Sequence, residues 1–223
     1  VRWFLGDQLR ILGWESMPDE PPAQSVRRAA LVDTLGDVAR DSEVLRQAKI
    51  LAQAEMNNPA SIEPNLAGAV VALSALDGDA KYLARVVLEI KKRKAAGASP
   101  DLQARCLAAL TCFEDPRVNA RVLALCIEGT IPQEQLRTVL VPLLSRRTTQ
   151  RAAWAFIKKN WQKLGTRIGA MGISRLVEAL GALPNEARED VAAFFEAHPV
   201  DEAKRALEKA LESMSLRAEL VAR

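Results

Sequence analysis

The amino-acid sequence predicts an all-α fold in which helical hairpins stack into a solenoid. Ala and Leu are abundant and aromatic residues make up only 4% of the chain, a composition that favours close-packed helices over a sheet. Apolar residues recur at the three-to-four spacing of a buried helical stripe, as at Val118, Val122 and Leu125. Taken in pairs, the predicted helices recur about every 30 to 36 residues, which is the period of helical-repeat solenoids.

The apolar stripes predict the helices in chain order. The opening stretch, VRWFLGDQLRILGW, already has an amphipathic pattern, and residues 15–23, with three prolines and three acids, form the clearest loop. Further helices are predicted over 24–39, 42–55, 63–75, 79–93, 133–144, 148–164, 173–180 and 184–197, and a last helix begins near Asp201.

Two more helices are indicated by the residues at their ends. Ser99 is predicted as an N-cap with Pro100 at the first helical position, and Asp115 with Pro116 repeats this arrangement. Gly129 is expected to end the second of these helices. The stretch RTVLVPLL comes closest to a strand pattern, but its proline argues against a central strand.

Length and composition predict one domain. The 223 residues are 49% hydrophobic and 26% charged, as in a globular protein, so we expect a single α-helical repeat domain over 1–223. The chain lacks an initiator Met and opens directly into an amphipathic pattern, so we expect it to be a C-terminal fragment of a larger multidomain protein. No stretch has the pattern of a signal peptide or a membrane span. Free thiols at Cys106, Cys112 and Cys126 fit a reducing compartment and favour the cytoplasm.

The residues give no catalytic or metal site. The chain has one histidine, His198, whereas a zinc peptidase needs two histidines one helical turn apart with a glutamate between them. His198 precedes a proline at the predicted end of a helix, where a capping role is expected. We therefore predict no catalytic residue, no metal ligand and no cofactor in this chain.

Positive charge is concentrated in one stretch without acids. Residues 135–177, called here the acid-free stretch, contain no Asp or Glu but nine basic residues, which leaves 22 basic and 28 acidic residues elsewhere. Such a segregated positive field attracts anions, including phosphate backbones, acidic partners and the terminal carboxylate of a peptide.

The acid-free stretch also holds two tryptophans. On the helix predicted over 148–164, Trp154 and Trp161 fall within about 20° of each other, and Ile157 and Leu164 lie near the same stripe. This placement favours core residues over a stacking platform for bases.

Three motifs carry a resemblance to a known family. AAWAFIKKNWQKL resembles an A-W-x-F-x-x-x-N-W-x-x-L helix, and VAAFFEAHPVDEAKRALEKALESM is similar to an F-F-x-x-H-P segment followed by a terminal helix. LGDQLRILGWE is similar to an L-G-W entry. All three belong to the C-terminal domain of the puromycin-sensitive and endoplasmic-reticulum group of zinc aminopeptidases, which are gluzincin metallopeptidases. The motif positions are Trp14, Trp154, Phe156, Asn160, Trp161, Phe194, Phe195 and His198.

The resemblance implies a right-handed superhelix of HEAT- or armadillo-like antiparallel helix pairs. In such enzymes this domain closes over the separate catalytic domain, shapes peptide access and contributes peptide contacts. The expected partners are therefore an upstream catalytic domain of the same chain, which would carry the zinc, and a peptide substrate. No membrane partner is expected and nucleic acid is disfavoured. The alanine-rich composition is more typical of a bacterial member than of a vertebrate one.

The resemblance and the charge pattern together suggest a peptide-binding role for Arg146, Arg147 and Arg151. An arginine fork suits a carboxylate, so these side chains are predicted to bind the negative end of a peptide. The alternative is a stand-alone HEAT-like scaffold that binds a protein or nucleic-acid partner through the acid-free stretch.

Overall fold

The computed structural model of the protein describes residues 2–92, 97 and 99–222, with the backbone alone at 170–171 and 221–222. No strand occurs within these ranges, and the all-α prediction is confirmed. The α-helices are α1 (Arg2–Leu12), α2 (Pro22–Asp33), α3 (Ser42–Asn57), α4 (Pro64–Leu76), α5 (Ala80–Lys91), α6 (Pro100–Ala109), α7 (Pro116–Glu128), α8 (Leu136–Ser145), α9 (Gln150–Lys159), α10 (Trp161–Ala179), α11 (Arg188–Ala197) and α12 (Lys204–Ala222). A π-helical segment (Thr34–Val38) follows α2, and short 3-10 segments occupy Gln133–Gln135, Leu180–Ala182, Asn185–Ala187 and Asp201–Ala203.

The chain divides into two compact units, Val1–Asp115 and Pro116–Arg223. In the first unit, α4 packs against α2, α3 and α6, and its side chains Val70 and Val71 are fully buried. In the second unit, α10 packs against α8 and α12, and α8 also packs against α9. The single domain over 1–223 and the right-handed superhelix stay predictions.

Ser99 caps its helix as predicted, and both predicted prolines stand at first helical positions. The Ser99 side chain accepts a hydrogen bond from the Leu102 backbone N–H at 3.2 Å, and Pro100 is the first residue of α6. Helix α7 begins at Pro116 and ends just before Gly129, whose φ of 87° places it in the left-handed region that favours glycine. Local sequence therefore determines where these helices start and stop.

The helix predicted over 148–164 is interrupted at Asn160, where the backbone leaves the helical region (φ −116°, ψ 19°). The Asn160 side chain donates to the Phe156 carbonyl at 2.9 Å, and the Asn160 carbonyl accepts from the Leu164 N–H at 2.9 Å. Asn160 thus closes α9 and opens α10. The Asn160 backbone N–H donates to the same Phe156 carbonyl at 3.1 Å, so the backbone and the side chain of Asn160 together bond the end of α9.

Other boundaries differ from the predicted ones in smaller ways. The helix predicted over 173–180 is the second part of α10, which is broken at Gly169 (φ 72°, ψ 166°). The RTVLVPLL stretch is helical, with Pro142 inside α8 close to its last turn. The predicted end of the helix over 79–93 lies outside the described residues.

A buried arginine holds the loop that follows α1. The Arg28 side chain is fully buried and donates to both carboxylate oxygens of Glu20, at 2.9 and 2.5 Å. It also donates to the Gly13 carbonyl at 3.0 Å and to the Ser16 hydroxyl at 3.2 Å. The hydrogen bonds from Arg28 hold the pKa of Glu20 below its usual value. Trp14, in the same loop, is half-buried.

Candidate functional site

The two C-terminal motifs meet in one aromatic cluster. Phe194 lies edge-on to both tryptophans, at centroid distances of 5.2 Å from Trp154 and 5.6 Å from Trp161. Phe195 stacks on Trp154 at 6.3 Å and lies edge-on to Trp161 at 5.4 Å. His198 stacks on Phe194 at 4.3 Å. Edge-on and offset pairs at these distances are favourable beyond the burial of their surface, so the cluster joins α9, α10 and α11.

Burial supports a core role for Trp154 more strongly than for Trp161. Trp154 is 4% exposed, and its indole N–H donates to Asp190 at 2.6 Å. Lys158 also bonds Asp190, at 2.6 Å, and lies 5.4 Å from the centre of the Trp154 ring. These two donors, with Lys158 contributing most, hold the pKa of Asp190 below its usual value. Trp161 is half-buried, so only one of the two predicted core tryptophans is fully enclosed.

His198 and Phe156 complete the set of predicted motif residues. His198 follows the last residue of α11, and its ring Nδ1 lies 2.9 Å from the Phe194 carbonyl, which is the terminus-capping arrangement predicted from sequence. Phe156 is half-buried on α9, and its carbonyl accepts from Asn160. None of these contacts requires a ligand.

The three arginines predicted to bind peptide lie at the junction of α8 and α9. Arg146 is half-buried, and its carbonyl accepts hydrogen bonds from the backbone N–H groups of Thr149 and Gln150. Arg147 and Arg151 are exposed. These residues do not line the groove of about 590 Å³ that α8, α10 and α12 form in the second unit, although Ser145, immediately before Arg146, does. Their peptide-binding role stays a prediction.

The second unit contains an open groove of about 590 Å³. Val141 and Pro142 of α8 and Ala179 of α10 contribute apolar surface. Four cationic side chains and a single carboxylate accompany them: Arg137, Arg175, Lys209, Arg217 and Glu178. Among the described residues, this groove is therefore a concave site in which positive charge and apolar surface lie together.

Glu178 pairs with two of the groove's cations. One carboxylate oxygen lies 2.5 Å from the Lys209 ammonium and the other lies 3.1 Å from the Arg175 guanidinium. These pairs, Lys209 first, hold the pKa of Glu178 below its usual value. Arg217 lies 3.5 Å from the Ala182 carbonyl, and Arg137 makes no ion pair with any described residue. Glu178 thus balances one of the four positive charges, and the groove retains an excess of positive charge.

The sequence pattern points to only two of the four cationic residues in the groove. Arg137 and Arg175 belong to the acid-free stretch, whereas Lys209 and Arg217 come from α12, where acids and bases alternate. No periodicity marked these two residues. Packing of α12 against α10 brings them to the groove.

Other basic residues of the acid-free stretch have structural roles. Arg167 donates to the carbonyls of Cys126 and Ile131, the latter at 3.0 Å, and so ties α10 to the end of α7. Lys158 bonds Asp190 in the aromatic cluster. The nine basic residues therefore do not act as one set.

Comparison with known families agrees with the motifs. Residues 1–216 match the model of the ERAP1-like C-terminal domain. The chain belongs to this family. The matched range contains all three sequence motifs that carry the resemblance. The match supports the assignment of this chain as a non-catalytic domain of an aminopeptidase. The bacterial origin stays a prediction.

The described part of this ERAP1-like C-terminal domain holds neither a metal-binding group nor a membrane-spanning helix. Within the part of the chain that the structure describes, His, Cys, Asp and Glu side chains form no group of three or more that could hold a metal ion. Among the same residues, each helix is either too short or too polar to cross a membrane.

Proposed function

We propose that this domain closes over the active site of a zinc aminopeptidase and shapes peptide access to it. The support is membership of the ERAP1-like C-terminal domain family. Catalysis and the zinc ion belong, in this proposal, to an upstream catalytic domain. The contribution of this domain is to confine the substrate and bind part of the peptide.

The groove between α8, α10 and α12 is our proposed binding site for the carboxyl end of the peptide. Four cations around an apolar surface match a carboxylate attached to a hydrophobic residue, and concave walls concentrate the field of these cations. Arginine guanidinium groups are suited to carboxylates because they donate two parallel hydrogen bonds. The sequence-based hypothesis placed this role on Arg146, Arg147 and Arg151; the groove geometry favours Arg137 and Arg175 of the same stretch.

The dispersal of the basic residues weighs against the alternative of a nucleic-acid partner. Binding along a phosphate backbone requires several cations on one accessible track. Arg167 and Lys158, however, bond carbonyls and Asp190 within the unit, and the groove holds Glu178 among its cations. No contact in the groove favours the other alternative, a stand-alone scaffold that binds a protein partner.

The proposal is tested in the complete aminopeptidase with matched peptides that end in a free carboxylate or an amide. We expect the free acid to have the lower KM. Arg137→Gln is expected to raise the KM of the free acid roughly three- to tenfold, because one unbalanced charge is lost, and to leave the amide unchanged. Lys163→Gln is the control, since it removes one exposed positive charge outside the groove.

Two results would contradict the proposal. Equal KM values for acid and amide in the native enzyme would remove the carboxylate site. An equal effect of Arg137→Gln and Lys163→Gln would show that only net charge matters, as expected for nonspecific attraction. Arg146→Gln with Arg147→Gln in the same assay tests the sequence-based assignment separately.

A further inference from the structure

Among the described residues that line the groove, Glu178 is the only carboxylate, and it lies among four cations. Its two oxygens occupy donors of both Lys209 and Arg175, at 2.5 and 3.1 Å. This is the bridging arrangement that a bound carboxylate would adopt on the same two cations. A group on the protein therefore holds the positions that an anionic ligand would take.

We propose that Glu178 is an internal competitor that occupies Lys209 and Arg175 and lowers the affinity of the groove for anionic peptide ends, most strongly for ends with two negative charges. The inference rests on the proposed peptide site. In the free domain Glu178 occupies donors of Lys209 and Arg175, so an incoming carboxylate is drawn first to Arg137 and Arg217. Glu178 repels each negative charge of a ligand, so a ligand with two charges loses more of its attraction to the four cations than a ligand with one.

The carboxylate stays ionised at neutral pH, because the hydrogen bond from Lys209 and the pairing with Arg175 lower the pKa of Glu178. At neutral pH the competitor and the carboxylate of a peptide end are therefore both charged. Glu178 is also positioned by α10, whose last residues are followed directly by the 3-10 segment Leu180–Ala182. Gly181 in that segment is buried against Ala210 of α12, where an added Cβ would lie 3.2 Å from the Ala210 Cα. This close packing fixes Glu178 opposite Lys209.

Coulomb's law gives the size and the sign of the effect. In a water-like dielectric, two charges about 6 Å apart change binding by on the order of threefold. Because the energy scales with the charge of the ligand, a doubly charged end is penalised by about the square of that factor, on the order of tenfold. Removing the Glu178 charge should thus favour all anionic ends and favour doubly charged ends more.

The experiment measures binding of fluorescent peptides to this chain by anisotropy. The peptides share one body and differ only at the C-terminal residue. A terminal Asp gives two negative charges, a terminal Asn gives one, and an Asn amide gives none. Glu178→Gln is expected to tighten the Asn peptide about threefold and the Asp peptide about tenfold, without effect on the amide. Glu196→Gln is the matched control, because it removes one exposed carboxylate of the same unit outside the groove. Glu178→Ala is the second variant, and circular dichroism verifies the fold of each protein.

The possible outcomes separate this inference from the proposed function. Preference of the native chain for the free acid over the amide, with unchanged affinities in Glu178→Gln and Glu178→Ala, overturns the inference alone. Equal gains for the Asn and Asp peptides overturn the selectivity. If the free-acid and amide peptides bind every variant equally, both proposals are overturned. Both are also overturned if the free-acid peptides bind neither the native chain nor the variants.

Discussion

Replacement of Trp154 tests whether the tryptophan motif is structural. Trp154 is 4% exposed, contacts the rings of Phe194 and Phe195, and donates to Asp190 at 2.6 Å. Trp154→Ala removes the ring and leaves a cavity in the cluster, so the free energy of unfolding should fall by about 3–5 kcal/mol. Trp154→Phe keeps a ring but loses volume and the indole hydrogen bond. Because Asp190 is half-exposed, water replaces that bond in part, and we expect a loss of about 1–2 kcal/mol.

The assay is urea unfolding followed by circular dichroism, with hydrogen exchange of α9 and α11 to place the effect in the second unit. Lys158→Met is the control, because it removes the exposed ion pair to Asp190 but keeps the cluster, and it should cost about 0–1 kcal/mol. A loss below about 1 kcal/mol for Trp154→Ala would refute the structural role. So would weakened peptide binding by Trp154→Phe at unchanged stability, because that result would make the indole a ligand contact.

The remaining predictions concern the buried arginine, the thiols and acid stability. Arg28→Met leaves buried partners unpaired and should lower the free energy of unfolding by about 3–5 kcal/mol. New proteolytic cleavage in the loop 13–21 would be an independent sign of the same loss. Unchanged stability would show that the ion pair is dispensable. In the folded chain a thiol reagent at pH 8 should modify only Cys112, because burial raises the pKa of both Cys106 and Cys126 to about 12, whereas three thiols should react after denaturation. Rapid labelling of more than one native thiol would contradict this burial. The lowered pKa of Asp190 stabilises the fold above the ordinary pKa of that group, and this contribution disappears as the pH falls through the lower folded value. Asp190→Asn should therefore reduce stability at neutral pH and flatten its decline in acid; parallel stability curves for the native and substituted chains would refute the coupling.

The fold class and most helix ends are predictable from the sequence alone, because they depend on interactions among residues close in the chain. Ser99 with Pro100, and Gly129 with its positive φ, mark boundaries through local backbone chemistry alone. The break at Asn160 was missed because the apolar stripe continues across it: Ile157 and Leu164 are both buried although they lie on different helices. Periodicity cannot distinguish one helix from two when the buried face is preserved.

The candidate site depended on tertiary structure for a different reason. The sequence identified the acid-free stretch, and Arg137 and Arg175 of that stretch line the groove. Lys209 lies more than thirty residues later in a helix of mixed charge, and only packing of α12 against α10 places it 2.5 Å from Glu178. The same is true of the aromatic cluster, whose two motifs are recognisable separately but meet only when α11 packs beside α9 and α10. Helix propensity and capping act over one or two turns, whereas the direction in which a side chain points relative to another helix is fixed by long-range packing.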